Sequence, residues 1–378
     1  MNQKRPRIIA FEVTRRCLLD CPYCRAAAGP ADLPSPAVSS AEAASFPAKA
    51  EAGYAKAGNL MELTTTQCKK ILKSVANFTT TSRHKPLIIL TGGEPMLRSD
   101  IYDLVRYGRK LNLKMALATC GYAINDQSID KLKKAGLSIL SFSVDGDSAQ
   151  SHDAFRNSPG SFEVVTSAAK TARRAHIPFQ INTTITKRNA DELVTIAELA
   201  KELGARCFNV FILVPTGRAR QIADEILDPV EYETLLNDLL RLKLESKIEV
   251  RLTCAPQFAR ICRQQKLEKL TGSVNGCIGG RDFGFISCRG DVQACGFLDV
   301  SAGNLFQKGC SFKKIWTESE FLKKLRNRSQ YEGSCAVCEY SAVCGGCRAR
   351  AYAATGDYLA SDPLCPRAFL RKQERGEV

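Results

Sequence analysis

The chain carries, directly after a predicted strand over Arg7–Thr14, the stretch Cys17-Leu18-Leu19-Asp20-Cys21-Pro22-Tyr23-Cys24. Three thiols on one short loop can bind three irons of a 4Fe–4S cluster and leave the fourth iron open to a small chelating ligand. A zinc site would need a fourth ligand, and this stretch has no nearby histidine. The stretch therefore predicts a cluster-binding loop at the end of the first strand.

The composition is that of an ordinary globular protein. Of 378 residues, 44% are hydrophobic and 25% charged, which excludes a disordered or fibrous chain. No apolar run approaches the roughly 20 residues that span a bilayer, and the start of the sequence has no signal-peptide pattern. We therefore expect a cytoplasmic protein, and the net charge of +15 indicates an anionic partner.

Cysteine is the unusual component, with 17 residues against three histidines. A reducing compartment argues against a disulfide framework. The shortage of histidine favours iron–sulfur clusters over mixed His/Cys zinc sites.

Up to residue 254 the sequence alternates short β-rich runs with amphipathic helical stretches, which predicts a parallel sheet covered by helices. The predicted strands are Arg7–Thr14, Pro86–Thr91, Lys114–Cys120, Ser138–Asp145, Pro178–Thr186, Arg206–Val214 and Lys247–Thr253. The predicted helices are Thr65–Phe78, Ile101–Leu111, Ser128–Ala135, Phe162–Ala175, Ala190–Leu203 and Pro229–Lys243. About six strand–helix repeats fit a partial (β/α)6 barrel, with its chemistry at the carboxyl ends of the strands.

Two regions depart from this alternation. Residues 26–60 are rich in Ala, Pro, Ser and Gly, and we expect a mobile insertion there. After Gln257–Leu270, predicted to be helical, a β-hairpin is expected over Phe283–Phe297, then a helix over Phe312–Arg326 and a cysteine-dense tail. The sequence therefore predicts one domain over residues 1–255 and a smaller one over 256–378.

The cysteine spacing, with Tyr23 before the last cysteine, resembles the radical S-adenosylmethionine (SAM) superfamily. The resemblance implies that the open iron binds the amino and carboxylate groups of SAM. It also implies that an electron from the cluster splits a C–S bond of SAM to give a 5′-deoxyadenosyl radical. A low-potential electron donor such as a flavodoxin or ferredoxin is then required, and the enzyme should be oxygen-sensitive.

Further stretches are similar to the SAM-binding motifs of this superfamily. Thr91–Pro95 resembles the Gly-Gly-Glu motif that meets the amino group of SAM. His152–Arg156, followed by Ser158–Phe162, is similar to the segment whose arginine, here Arg156, pairs with the SAM carboxylate. The implied SAM-binding residues are Tyr23, Gly92, Gly93, Glu94, Ser143, Arg156, Asn182 and Val214. Cys120 stands where many relatives have asparagine, which leaves its role open between a site residue and a buried small side chain.

Seven cysteines of the second half resemble the SPASM extension of radical SAM enzymes, which holds auxiliary 4Fe–4S clusters. The resemblance assigns Cys335, Cys338, Cys344 and Cys365 to one cluster and Cys277, Cys295 and Cys347 to another. Cys254, Cys262, Cys288 or an open iron could complete the second set. Only Gly345 and Gly346 separate Cys344 from Cys347, where the family usually has three residues, so one or two auxiliary clusters are compatible with the sequence. A zinc ribbon is the alternative.

Longer stretches resemble a group within this superfamily that forms haem b in the alternative, sirohaem-derived pathway: Ile8–Cys17, Phe208–Arg218, Thr253–Pro256 and Cys344–Tyr352. The group converts two propionates of iron-coproporphyrin III into vinyl groups. An auxiliary cluster would accept the electron that leaves with each CO2. Arg218, Arg220, Arg281, Arg348 and Arg350 are candidates to bind the propionates, and His152 or His176 to ligate the haem iron. We expect a monomer.

Other functions stay open at this point. Within the enzymes, they are a didecarboxysirohaem deacetylase of the same pathway and a maturase of ribosomal peptides. Outside the enzymes, they are an iron–sulfur electron carrier and a zinc-ribbon nucleic-acid-binding protein. No basic run with interleaved aromatic residues supports nucleic-acid binding.

Overall fold

The computed structural model describes residues 5–29, 62–80, 85–271 and 276–369. The predicted insertion over 26–60 lies outside the described residues except for 26–29, where Ala26 and Ala28 are buried.

A ten-stranded sheet forms the centre of the structure, in the order β10-β9-β8-β1-β2-β3-β4-β5-β6-β7. Strands β1 to β7 are neighbours in chain order and pair in parallel. Their bounds are Ile8–Thr14 (β1), Leu87–Gly92 (β2), Lys114–Thr119 (β3), Ile139–Ser143 (β4), Phe179–Ile185 (β5), Cys207–Ile212 (β6) and Glu249–Thr253 (β7). All seven predicted strands and the partial (β/α)6 barrel are confirmed.

Helices connect these strands and cover one face of the sheet. They are Thr65–Thr79 (α1), Ile101–Lys110 (α2), Asp126–Ala135 (α3), Ala149–Arg156 (α4), Ser161–Arg174 (α5), Leu193–Leu203 (α6) and Pro229–Glu245 (α7). All six predicted helices are present, whereas α4 was not predicted as a helix. None of the helices in the described ranges is both long and apolar enough to cross a membrane.

The second half of the chain adds short elements to the same sheet. They are Phe258–Gln264 (α8), Phe283–Ile286 (β8), Asp291–Gln293 (β9), Ser301–Asn304 (β10), Phe312–Glu318 (α9), Glu320–Arg326 (α10) and Arg348–Thr355 (α11). The predicted hairpin is in place, but β8 pairs in parallel with β1 and so extends the barrel sheet. The predicted helix over Phe312–Arg326 is divided at Ser319, whose ψ of 123° is extended. The first helix after β7 ends at Gln264, before the predicted Leu270.

A buried ion pair joins the C-terminal segment to the end of β7. Asp362 accepts hydrogen bonds from Arg350 Nε (3.0 Å), Arg350 NH2 (2.9 Å) and Gln257 Nε2 (2.7 Å). Arg350 also donates to the Cys254 carbonyl at 3.0 Å. Burial raises the pKa of the Asp362 carboxyl, but Arg350 and these hydrogen bonds outweigh it and hold that pKa below its usual value. The cysteine-rich tail is thereby fixed to the barrel.

Replacing this carboxylate should destabilise the protein strongly. In Asp362→Ala the Arg350 cation is left buried and unpaired, a change that costs about 3–5 kcal/mol of unfolding free energy. The measurement is urea unfolding followed by the fluorescence of the single tryptophan, Trp316. The stabilisation by Asp362 is present above the unfolded-state pKa, about 3.9, and is lost as the pH falls through the lower folded-state pKa.

Asp126→Ala is the matched control, because Asp126 also pairs with an arginine, Arg174, but on the surface. It should leave the urea midpoint unchanged. Equal midpoints for the two variants would contradict the structural role of Asp362.

Candidate functional site

The predicted cluster loop follows β1 and is held in place by Arg218. Arg218 Nε donates to the Cys21 carbonyl at 2.9 Å, and its backbone N–H donates to the Cys24 carbonyl at 3.0 Å. Its guanidinium also pairs with Asp20 at 3.0 Å. Arg218 therefore shapes the cysteine loop through Nε, NH1 and its backbone N–H, while its buried NH2 has no hydrogen-bond partner in the described part of the chain. Its binding of a substrate propionate stays a prediction.

Cys17, Cys21 and Cys24 share one buried environment. Burial raises the pKa of the Cys17 thiol to about 12, and the Glu94 carboxylate, Cys21 and Cys24 lie close enough to add to the rise. Burial also raises the pKa of Cys21, which the nearby Arg156 opposes. Burial thus disfavours the thiolates of Cys17 and Cys21, and the irons of a cluster would supply the positive charge that compensates them.

The Gly-Gly-Glu stretch packs directly against the cysteine loop. A Cβ at Gly92 would lie 2.1 Å from the Thr14 carbonyl oxygen, and one at Gly93 would lie 2.2 Å from that of Arg16. The absence of side chains lets Gly93 N–H donate to Thr14 (2.9 Å) and Glu94 N–H to Arg16 (2.7 Å). These contacts fix Glu94 beside the cluster loop.

The Glu94 carboxylate is fully buried and accepts hydrogen bonds from the backbone of Met96 (2.8 Å) and Cys120 (2.7 Å) and from Thr119 Oγ1 (2.8 Å). Burial raises its pKa, although these hydrogen bonds oppose the rise. Burial and the Glu94 carboxylate also raise the pKa of the Cys120 thiol well above its usual value. Cys120 is thus a buried thiol next to Glu94 and Cys17.

Tyr23 and Arg156 meet at Asp145, a residue that the sequence analysis did not single out. The Asp145 carboxylate accepts from Tyr23 Oη (2.5 Å), Arg156 NH1 (3.2 Å) and the Thr184 backbone (2.8 Å). A buried aspartate at the end of a parallel strand was the available signal. The network connects the cysteine loop to the ends of β4 and β5.

The remaining predicted SAM-binding residues lie on β4 and β5 and just after β6. The Ser143 carbonyl accepts a hydrogen bond from Arg156 at 3.3 Å. Asn182 belongs to a polar row that runs across β4 to β7 and consists of Ser141, Asn182, Asn209 and Thr253. Asn182 donates to Ser141 (2.7 Å) and accepts from Asn209 (3.2 Å). Asn209 in turn accepts from Thr253 (3.0 Å). Val214 is buried in the hydrophobic core and contacts none of these groups through a hydrogen bond.

Four of the predicted auxiliary ligands line one cavity near the C-terminus. Its volume is about 400 Å³ with the open space at its mouth included, and its lining contains Cys335, Cys338, Cys344 and Cys365. Burial raises the pKa of Cys344 to about 12 and that of Cys365 to about 11. Four thiols around one space are the ligand set of a cubane cluster.

The other auxiliary cysteines form a second group, and Cys254 belongs to it. A hydrogen bond from Cys254 lowers the pKa of Cys347 to about 6 against the effect of burial. Burial raises the pKa of Cys295 to about 12, with Cys277 and Cys347 adding to the rise. A Cβ at Gly279 would lie 3.5 Å from Cys277 Sγ and 3.6 Å from Cys295 Cβ, so these two cysteines flank the same glycine.

Among the three candidates for the fourth ligand, only Cys254 joins this group. Cys288 donates its backbone N–H to Glu12 at 3.2 Å, and its pKa responds to Glu12 and Arg15 rather than to the auxiliary cysteines. Cys262 is buried in α8 and its neighbours are Lys243 and Glu268. Cys254 also has a φ of 61°, a strained conformation that is uncommon for a residue other than glycine.

The two glycines between Cys344 and Cys347 explain how neighbouring cysteines reach different groups. Gly345 (φ 73°) and Gly346 (φ 63°) are both left-handed. Two consecutive left-handed residues reverse the chain sharply, so a spacing of two residues suffices.

Among the described residues, no three His, Cys, Asp or Glu side chains are placed to hold a single metal ion. A cubane cluster differs from a single ion because each thiolate binds a different iron, so its ligands are spread around a larger volume. The three cysteine groups fit this larger ligand arrangement.

The other arginines predicted to contact the porphyrin lie in different surroundings. Arg348 donates to three carbonyls, of Tyr358, Leu359 and Ala360, and Arg350 pairs with Asp362. Arg220 is exposed, whereas Arg281 lies near Cys277 and opposes the rise of that thiol's pKa.

Neither predicted histidine is placed to ligate a haem iron in the barrel. His152 is buried, accepts a hydrogen bond at Nδ1 from the Asp145 backbone (3.1 Å), and burial lowers its pKa to about 3. His176 is exposed and precedes β5, at the end of the sheet opposite to the site.

Comparison with known proteins agrees with this arrangement. The radical SAM superfamily matches residues 11–200, and the SPASM iron–sulfur cluster-binding domain matches residues 277–339. The solved structure of native anSMEcpe with bound AdoMet superimposes with a TM-score of 0.66 at 17% identity, covering 97% of each chain. At that identity the superposition shows the shared fold.

Closer relatives cover nearly the whole chain. An AdoMet-dependent heme synthase of Methanosarcina barkeri is 42% identical over 95% of this chain and 96% of its own. One of Nitratidesulfovibrio vulgaris is 36% identical over 95% and 92%. The Fe-coproporphyrin III synthase of M. barkeri is 27% identical over 99% and 90%. The chain therefore belongs to the radical SAM superfamily and, within it, to the family of AdoMet-dependent heme synthases.

Proposed function

We propose that this enzyme converts two propionates of iron-coproporphyrin III into vinyl groups and so forms haem b. The observation that carries the proposal is the 42% identity over 95% of the chain to a heme synthase, together with three cysteine groups around one barrel. SAM bound at the cluster supplies a 5′-deoxyadenosyl radical as the hydrogen-atom acceptor. Each propionate then loses one hydrogen atom, one electron and CO2, and a C=C bond replaces the C–C bond to the carboxylate.

The alternatives have weaker support. The relative named Fe-coproporphyrin III synthase, which corresponds to the preceding step of the pathway, is 27% identical, and a PqqA peptide cyclase is also 27% identical. An electron carrier or a nucleic-acid-binding protein would not need the Gly-Gly-Glu loop that places Glu94 beside the cysteine loop.

We assign three ligand sets. Cys17, Cys21 and Cys24 hold the SAM-binding cluster. Cys335, Cys338, Cys344 and Cys365 hold one auxiliary cluster, and Cys254 joins Cys277, Cys295 and Cys347 around the other. This assignment gives two auxiliary clusters, with every iron of each bound to the chain. We also propose the boundary between the two domains at residue 255, between the end of β7 at Thr253 and the start of α8 at Phe258, with Cys254 as an auxiliary ligand on the barrel side.

The SAM-binding groups would be arranged around the open iron. We expect the SAM ammonium group to bind beside Glu94, whose oxygens are held in position by the backbone of Met96 and Cys120 and by Thr119. We expect Arg156 to pair with the SAM carboxylate, because its bond to Asp145 keeps the guanidinium beside the cysteine loop.

The proposed reaction can be tested by anaerobic turnover of the cluster-loaded enzyme with SAM, dithionite and iron-coproporphyrin III, followed by mass spectrometry. We expect a porphyrin that has lost two CO2 units, with matching amounts of 5′-deoxyadenosine. The control is the same reaction without SAM, which should leave the porphyrin unchanged. Formation of 5′-deoxyadenosine with an unchanged porphyrin would contradict the proposed substrate.

The auxiliary ligand set predicts a difference among three single variants. Cys254→Ala removes one thiolate from a cluster, so we expect less bound iron and a changed electron paramagnetic resonance spectrum of the reduced auxiliary clusters. Cys262→Ala and Cys288→Ala are matched controls, since both cysteines are buried but lie outside the group. They should keep the iron content and the spectrum of the wild type. A Cys254→Ala protein identical to them would show that another residue, or none, is the fourth ligand.

A further inference from the structure

We propose that Arg25 binds a carboxylate of the substrate inside the barrel, at the point where the loop of Cys24 meets the loop of Cys295. The inference rests on the proposed function, because it assumes an anionic porphyrin substrate. It adds a residue outside the set of arginines that the sequence analysis selected.

Arg25 contacts the loops that carry ligands of two different clusters. It directly follows Cys24, and its guanidinium carbon lies 4.6 Å from the centre of the Phe285 ring on β8. A Cβ at Gly296, the residue after Cys295, would lie 3.1 Å from Arg25 Nε. A ligand bound to this guanidinium is therefore adjacent to both loops.

The contacts place Arg25 on the open face of the sheet. Phe285 of β8 lies directly beside Ala10 of β1 in the sheet, so their side chains point to the same face. Glu12 is two residues after Ala10, and side chains at alternate positions of a strand share a face. Ala10, Glu12 and Phe285 therefore lie on the same side of the sheet. The opposite face carries Ile9 and Phe11, which belong to the hydrophobic core under the helices. Arg25 therefore lies on the face toward the barrel interior.

The guanidinium has hydrogen-bonding capacity left. Its NH1 lies 3.3 Å from Glu12 Oε1, and within the described part of the chain its Nε and NH2 donate to no protein group. The buried Glu12 has two further partners, Arg15 at 3.6 Å and the Cys288 N–H at 3.2 Å. The Arg25 side chain is 20% exposed, so a ligand can reach it. By contrast, all three guanidinium nitrogens of Arg350 donate to protein oxygens, while Arg218 NH2 and Arg348 Nε have no partner in the described part of the chain but are buried.

Aromatic side chains next to Arg25 suit a flat, largely apolar ring system. Phe297 follows Gly296, and its ring lies 6.4 Å from that of Phe211 on β6. Phe211 and Asn209 are alternate residues of β6, and Asn209 belongs to the polar row that spans the inner face. Both rings are half-buried. A porphyrin face against these rings would direct a propionate toward Arg25.

The test uses the cluster-loaded enzyme and measures binding of iron-coproporphyrin III by its change in visible absorption. Arg25→Gln should raise the dissociation constant about tenfold or more, because a charge-assisted hydrogen bond is lost. Arg25→Lys, which keeps the charge but not the planar fork, should lie between wild type and Arg25→Gln. Arg15→Gln is the matched control, since Arg15 also pairs with Glu12 but does not touch Gly296; it should bind like wild type.

Two further measurements separate carboxylate binding from a structural role. The neutral tetramethyl ester of the porphyrin should bind wild type and Arg25→Gln equally. If Arg25 only neutralises Glu12, the double variant Glu12→Gln/Arg25→Gln would regain wild-type affinity, and that result would overturn the proposal. We expect the double variant to stay as weak as Arg25→Gln.

The outcomes also distinguish this inference from the proposed function. A wild-type enzyme that does not bind iron-coproporphyrin III would overturn both. Equal binding by wild type and Arg25→Gln would overturn only the role of Arg25. The iron content of Arg25→Gln should equal that of wild type, which shows that the Cys24 loop still holds its cluster.

Discussion

The parallel pairing of β8 with β1 is the constraint on which the arrangement of the site depends. Ile8 to Phe11 of β1 lie beside Phe283 to Ile286 of β8. The loop after β1 carries Cys17, Cys21 and Cys24, and the hairpin that begins with β8 leads to Cys295. The hydrogen-bond register between β1 and β8 therefore sets the position of Cys17, Cys21 and Cys24 relative to the group that contains Cys295. The buried Glu12, which contacts Arg25 and the Cys288 backbone, lies at the same junction.

Burial controls the chemistry of the cysteines. Removal from water raises the pKa of Cys17, Cys295 and Cys344 to about 12, so these thiols stay protonated until a cation compensates the charge. Cys254 and Cys347 differ because they share a hydrogen bond, which raises the pKa of one thiol and lowers that of the other. The fold thus brings the ligands together without stabilising most of them as thiolates, which leaves that stabilisation to iron.

The sequence predicted best the features that follow from the spacing of its cysteines or from the alternation of strands and helices. The alternation of strands and helices predicted seven strands because each buried run is short, apolar and bounded by turn residues. The cysteine spacings predicted which thiols would be neighbours on each loop.

The pairing of β8 with β1 was not predictable, since residues far apart in the chain meet there and four-residue strands carry no register signal. Cys254 could not be chosen over Cys262 and Cys288 because that choice depends on where β7 ends relative to the tail. Asp145 and Arg25 were missed because their roles depend on contacts with residues far away in the chain, Tyr23 for Asp145 and Phe285 for Arg25, which the sequence does not show.

In the proposed reaction the radical removes hydrogen from the propionate carbon attached to the porphyrin ring, because the vinyl double bond forms between this carbon and its neighbour when CO2 leaves. The most direct measurement is turnover of iron-coproporphyrin III that carries deuterium at this carbon, with mass analysis of the nucleoside product. We expect one deuterium in each 5′-deoxyadenosine formed during the reaction. Unlabelled 5′-deoxyadenosine formed together with the vinyl product would contradict it, because the hydrogen atom would then come from another position.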